Sequence, residues 1–316
     1  MKPIEILTQG LELLAALAAA PLFLGWVNQC RAWLQNRRAP SVWLPYRGIR
    51  KLFHKDAVIA ENASPLFRAA PYIVFGAMLV AAGIIPSMGT RLPFTIAADA
   101  IALVGLLATA RVFQSLAAMD IGTAFGTLGA RREMMVGFLA EPALLMVIFV
   151  ASIISATTAL PAIAENLATQ TLGLYPSLAF TAIAFTLILL AENARIPIDN
   201  PATHLELTMI HEAMVLEYSA RHLALMEWAT SLKLFNYACI GFALFLPWGI
   251  STGTGGPLSL VASIPVLAAK LTVTGAVLAF IETISAKLRV FRAPEFLAIA
   301  FMLAVLGLLV HLLLGA

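Results

Sequence analysis

An all-α membrane protein of about eight transmembrane helices, with both termini outside and long cytoplasmic loops 1 and 5, is the fold that this sequence predicts. Three observations carry the reading. Of the 316 residues 61% are hydrophobic and only 12% charged, about half the charged fraction of a soluble domain. The mean hydropathy is +0.91. Apolar stretches of about 20 residues, each long enough to cross some 30 Å of hydrocarbon, recur from one end of the chain to the other. Because they are spread end to end, residues 1–316 read as a single integral membrane domain.

The predicted spans are 5–27, 69–88, 94–118, 136–158, 172–191, 234–250, 260–281 and 294–314. The first carries Glu12, lacks a basic leader and has no small-residue cleavage site, so it reads as a retained helix. Basic residues set the orientation. Loop 1 (28–68) holds Arg31, Arg37, Arg38, Arg47, Arg50, Lys51, Lys55 and Arg68. Loop 3 holds Arg131 and Arg132; loop 5 (192–233) holds Arg195, Arg221 and Lys233; loop 7 holds Lys287, Arg289 and Arg292. The opposite side has only Lys2 and Arg91, while Arg111 and Lys270 fall inside spans. The positive-inside rule then puts the odd loops in the cytoplasm.

The net charge of +3 is thus explained by membrane orientation and calls for no nucleic-acid partner. Cys30 and Cys239, far apart and in no CxxC pattern, cannot make an iron–sulfur cluster or zinc site from this chain alone. Loop 1 mixes Trp33, Trp43, Leu44, Tyr46, Leu52 and Phe53 with its bases, a composition that lies at a membrane interface or docks a partner. Arg47, Arg50 and Lys51 are its candidate docking residues.

Acids gather near the cytoplasmic ends of spans 4 to 7: Glu133, Glu141, Glu192, Asp199, Glu206, Glu212, Glu217, Glu227 and Glu282. A charge in hydrocarbon needs a partner, water or neutralisation. Burial and like-charge neighbours raise a carboxylate pKa toward neutrality, the condition for passing protons on. Solvated headgroup-level charges are the plainer alternative for any one of them. Glu141 and Glu192 fall within helical spans and favour the proton reading.

Between Glu192 and Pro201, Pro197 and Pro201 stop span 5 and force turn geometry. Thr203 and Glu206 then stand at capping-box spacing. Leu205, Met209, Met214 and Leu216 recur at helical spacing beyond. His204, Glu206, His211 and Glu212 invite a metal reading, and His204 and His211, seven apart, can share one helical face, but HExxH is absent, and solvated or hydrogen-bonded histidines are favoured. Gly122, Gly126 and Gly129 form no phosphate loop, since the Walker lysine is missing; close helix contact is their reading.

The run Ala191-Glu192-Asn193-Ala194-Arg195-Ile196-Pro197-Ile198-Asp199-Asn200-Pro201, with Glu206-Leu207 and later Glu217-Tyr218-Ser219, resembles the signature of the complex I subunit 1 family, AETNRxPFDxPExExEL and then EYS. The longer stretch from Thr203 to Ser219, continuing through His222 to Trp228, is closer to one branch of that family. That branch is the membrane subunit of formate hydrogenlyase-type, group 4 nickel–iron hydrogenases. Gly129 to Glu133, Glu141-Pro142, and Ala286 to Glu295 fit the same branch.

The resemblance implies an eight-helix, N-out heel subunit in the inner membrane of a prokaryote. Such a subunit docks a cytoplasmic electron-transfer arm and offers a proton path. By position, Glu141, Glu192, Asp199, Glu206, Glu212 and Glu217 match the acidic path, and Arg131, Arg132 and Arg195 the basic interface residues. The chain itself would hold no cofactor. A nickel–iron centre and iron–sulfur clusters would sit in hydrogenase large and small subunits and an iron–sulfur subunit, beside an antiporter-like membrane subunit. Ile198 replaces the family's Phe, and an insertion places His211 and Glu212 before the EYS; both departures favour the hydrogenase branch over a quinone-site heel. A stand-alone ion transporter is the third reading, disfavoured because no inverted repeat is visible and the acids cluster on one side.

Overall fold

The structure, a computed structural model, describes residues 3–90, 99–169, 176–199, 209–251, 256–286, 288 and 292–314. Within them every regular element is a helix: α1 Pro3–Leu34, α2 Leu44–Phe53, α3 Pro65–Ile84, α4 Ala100–Asp120, α5 Ala124–Ser155 and α6 Leu160–Thr169. The order continues with α7 Pro176–Glu192, α8 His211–Val215, α9 Ala220–Phe245, α10 Gly256–Ile284 and α11 Ala293–Leu314.

Parts of α1, α3, α4, α5, α10 and α11 are each long and apolar enough to cross a bilayer, and the shorter α7 is apolar throughout. α9 begins with charge at Arg221, Glu227 and Lys233 and turns apolar toward its C-terminus.

Local signals set several ends. The hydroxyl oxygen of Ser64 accepts from the Leu66 N–H to open α3, and Asp99 accepts from the Ile101 N–H to open α4. Each satisfies one of the donors that a helix start leaves free.

The bundle is closed by contacts between distant parts of the chain. α3 packs on α4 and α9, α4 on α5, α7 on α11 and α5, and α1 on α10 and α9. The Trp26 indole N–H donates to the Thr272 carbonyl at 2.9 Å, joining the first and tenth helices. At one end the Glu12 carboxylate, fully buried, accepts from the Met88 and Gly89 N–H groups at 2.8 Å each. There the Thr90 N–H donates to the Ser251 carbonyl at 3.0 Å, and the Ser251 N–H to the Met88 carbonyl at 2.8 Å. At the other end lie the turn after α7, α8, and the amphipathic α2, which packs on α9 and α1.

Two helix starts differ from the sequence reading. α5 begins at Ala124 rather than near 136, and α9 at Ala220 rather than near 234. Charges at Arg131, Arg132, Glu133, Glu227 and Lys233 mark loops by hydropathy, but helical backbone continues where side chains find partners or reach water. α1 likewise runs to Leu34, and α6 is a separate short helix after the fifth. The proline-bearing run ends α7 at Glu192 and turns through Asn193–Asp199 as expected. Thr203, His204, Leu205 and Glu206, with their proposed cap, lie outside the described residues.

Candidate functional site

The site starts from a ridge on α5. Glu133, Gly137 and Glu141 follow one another at four-residue steps, so they lie along one row of the helix surface. Arg111 of α4 lies across that row. Its Nε donates to Glu133 Oε1 at 3.2 Å, its Nη1 to Glu141 Oε1 at 2.5 Å, and its Nη2 to Glu192 Oε1 at the end of α7. A guanidinium presents its donors in a fixed planar fork, and here each nitrogen meets a different carboxylate on two helices.

Gly137 makes the approach possible. A Cβ at that position would stand 2.5 Å from Arg111 Nη1 and 2.6 Å from its Cδ. Gly129, two turns earlier, does the same for the chain after Asp199: a Cβ there would sit 2.8 Å from the Ile210 carbonyl oxygen. Close contact is therefore what this glycine provides, as its sequence reading held.

Lys233 of α9 completes the cluster, its Nζ 3.1 Å from Glu192 Oε2. Arg111, Glu133 and Glu192 are each no more than 5% exposed. Among the described residues two cations, Arg111 and Lys233, face three carboxylates, a formal excess of one negative charge in the ion-paired set. Glu192 has a cation on each oxygen and is the fixed anion. Glu141 is the partner with more access, its side chain 34% exposed.

A second centre lies at the same end. Glu282 of α10, buried, meets Arg195 at 3.2 Å and Arg31 of α1 at 3.5 Å. Arg195 follows Ala194, whose φ of 50° puts an alanine in the left-handed region that costs a residue with a Cβ about 1–2 kcal/mol. The Arg195 N–H closes the helix end on the Leu190 carbonyl at 2.9 Å. Asp199, buried, accepts from the backbone N–H groups of Ile210 and His211 at 3.3 and 3.2 Å. It thereby holds His211 with Nδ1 3.5 Å from Glu133 Oε2.

The sequence-derived set is thus partly gathered. Glu141 and Glu192 share Arg111, and Asp199 is joined to them through His211 and Glu133. Glu212 lies on the wall of an adjoining cavity, where burial and the neighbouring Asp199 raise its carboxyl pKa above the ordinary range. Arg132 donates to the Met209 carbonyl at 3.0 Å, and Arg195 serves Glu282 rather than Glu192. Arg131 and Glu217 are exposed and join no ion pair among the described residues. Arg47, Arg50 and Lys51 project from α2 into the open while Ile49 is buried. Glu206 lies outside the described residues.

Arg111 was not among the sequence-derived site residues; Glu133 and Glu282 stood in the acid cluster and Lys233 among the loop 5 bases, without an assigned place in the proton path. The signal for Arg111 was present, since an arginine in the middle of an apolar span marks a functional position by default.

The adjoining cavity has a volume of about 460 Å³ and lies between α1, α2, α8 and α9. Leu24, Leu44, Ile49, Val215 and Leu223 give it an apolar wall, with Glu212 and Glu227 as its acids.

Apolar helices closed around an arginine with three carboxylates define a multi-pass membrane protein with a charged interior. The chain belongs to the NADH dehydrogenase family, whose sequence profile matches residues 8–313. It is 33% identical over 296 residues to formate hydrogenlyase subunit 4 of Escherichia coli (strain K12), covering 92% of this chain and 94% of that protein. It is 36% identical over 253 residues to hydrogenase-4 component C of the same organism, covering 78% and 79%. In fold it matches a chain of the membrane-bound sulfane sulfur reductase, an archaeal respiratory membrane complex. The TM-score is 0.81 at 19% identity, over 96% of this chain and 99% of that one.

Proposed function

We propose that this chain is the membrane-anchoring, proton-path subunit of a hydrogen-evolving nickel–iron hydrogenase of the formate hydrogenlyase type, in the inner membrane of a prokaryote. The observation that carries the reading is the near full-length match to formate hydrogenlyase subunit 4. The buried Arg111 cluster supports the proton role, because a set of coupled carboxylates with one charge in excess is suited to taking up a proton. The nickel–iron centre and iron–sulfur clusters then belong to partner chains. α2 and the segment after α7 form the docking side, facing the cytoplasm, with both termini outside. Protons reach the cluster along Glu212, Asp199, Glu206 and Glu217 and continue by Glu141, while Glu192 anchors Arg111 and Lys233.

The test is purification from native membranes in mild detergent, with mass spectrometry of what comes along. Recovery of a nickel-hydrogenase large subunit and iron–sulfur subunits supports the reading; a chain that purifies alone, or with a quinone-reducing arm, overturns it. Within the complex, Glu141→Gln keeps size and hydrogen bonding but removes titration. It leaves assembly intact and lowers turnover with the physiological donor more than hydrogen evolution from an artificial one.

The cavity beneath α2 favours a second reading, the quinone-site heel of a respiratory complex I, because its size and largely apolar wall suit a headgroup. Extraction of the purified complex for bound quinone decides between the two.

A further inference from the structure

Two cavities share a wall made by three side chains. The larger, of about 460 Å³, carries Glu212 and Glu227 on its wall. The smaller, of about 20 Å³, lies against Arg111 and Lys233 and has room for a single water. Gln114, Thr230 and His211 line both. Of these three, only the histidine has a side chain with two ring nitrogens able to pass a proton from one face to the other.

Its placement is fixed from both sides. The His211 N–H is held by Asp199 Oδ2 at 3.2 Å. The ring Nδ1 lies 3.5 Å from Glu133 Oε2, facing it without a direct hydrogen bond, so the transfer needs a small approach or a bridging water; the other Glu133 oxygen receives Arg111 Nε at 3.2 Å. On the cavity side, Glu212 of its own helix and Glu227 of α9 are the acids in reach. Facing it on the cluster side are Arg111 from α4, Glu133 from α5 and Lys233 from α9. α2 contributes Leu44, Pro45, Gly48 and Ile49 to the cavity and no charge.

We propose that His211 is the proton-transfer residue at the neck between the two cavities, handing protons from the Glu212–Glu227 side to Glu133 of the buried cluster. The inference rests on the proton-path reading above and goes beyond it by naming the residue that controls entry. In the step, one ring nitrogen accepts a proton from cavity water or from Glu212. The Nδ1 nitrogen releases the proton it held to Glu133 Oε2. One positive charge moves inward, the imidazole ends neutral, and it regains its first tautomer through the adjoining water. The cluster, short of one positive charge, is the acceptor.

The experiment uses the native complex with its partner subunits, comparing wild type, His211→Gln, His211→Ala and Glu141→Gln. Turnover with the physiological donor is followed across the neutral pH range, with and without added imidazole. His211→Gln is expected to lower coupled turnover about a hundredfold, the low end of what a positioned acid–base group contributes, and to flatten its pH profile. Imidazole, which fits the neighbouring cavity, is expected to restore much of the loss in His211→Ala. Hydrogen evolution from an artificial donor is expected to fall less in both.

If His211→Gln keeps wild-type turnover and pH profile while Glu141→Gln does not, the proton path stands and the role of His211 falls. Full activity in all variants overturns the path reading itself. A loss with an unchanged pH profile and no imidazole rescue, or failure of both His211 variants to assemble, marks His211 as structural and overturns the proposal.

Discussion

Arg111 shows how much one side chain organises when its surroundings are dry. An isolated guanidinium inside a membrane is costly, and three carboxylates together are costlier still; each is tolerable only because of the other. Deleting the arginine from such a buried set leaves carboxylates unpaired, typically at about 3–5 kcal/mol. The dependence extends to a residue with no charge at all. Gly137→Ala would place a methyl 2.5 Å from Arg111 Nη1, and the arginine cannot yield without losing Glu133 or Glu141. We expect this variant to lower stability by about 1–3 kcal/mol and to cut coupled turnover as well. Thermal unfolding of the purified complex, with turnover on the same preparation, checks both. The acids of this site were legible in the sequence because carboxylates in apolar runs stand out. Their pairing was not: Arg132 and Arg195 are the nearest cations in sequence to Glu141 and Glu192, yet Arg111, 81 residues before Glu192, takes both.

Among the elements, α2 separates two roles along ten residues. Ile49 is buried against the bundle, while Arg47, Arg50 and Lys51 stand in the open with the exposed Trp43 and Phe53. The Tyr46 hydroxyl donates to the Ala18 carbonyl of α1, so the helix is attached and its basic side is presented in a fixed direction. Changing Arg47, Arg50 and Lys51 together to glutamate is expected to release the soluble subunits while the chain stays in the membrane. Subunit recovery after detergent extraction measures it, and retention of the whole complex would count against the docking role. Mixed aromatic and basic residues revealed this segment in the sequence. The early starts of α5 and α9 stayed hidden, because hydropathy treats Arg131, Glu133, Glu227 and Lys233 as chain in water whether or not they are paired.

For the whole molecule, the two ends of the bundle differ in what they hold. One gathers Arg31, Asp120, Glu192, Arg195 and Glu282; the other is closed by Glu12 on Met88 and Gly89 and by Thr90 on Ser251. If the first end faces the cytoplasm, as the positive-inside rule predicts, a cysteine introduced at exposed Gln35 should resist an impermeant thiol reagent added outside intact cells. One at exposed Trp248 should react, and the reverse pattern would invert the orientation. Cys30 and Cys239 are buried and leave the background low.

The pairing of α1 with α10 also sets a schedule for synthesis. Arg31 and Glu282 stand 251 residues apart, and Trp26 and Thr272 stand 246 apart. At about 5–20 residues per second, the first helix waits roughly 10–50 s in the bilayer before its partner emerges from the ribosome. During that interval α1 can gain its contacts with α2, α3 and α9 as they emerge, but the part of its buried face that α10 covers has lipid or an insertion chaperone as its neighbour. The last quarter of the chain therefore completes the seat of its earliest part, and a ribosome that stops before α10 leaves Arg31 without Glu282 and Trp26 without Thr272.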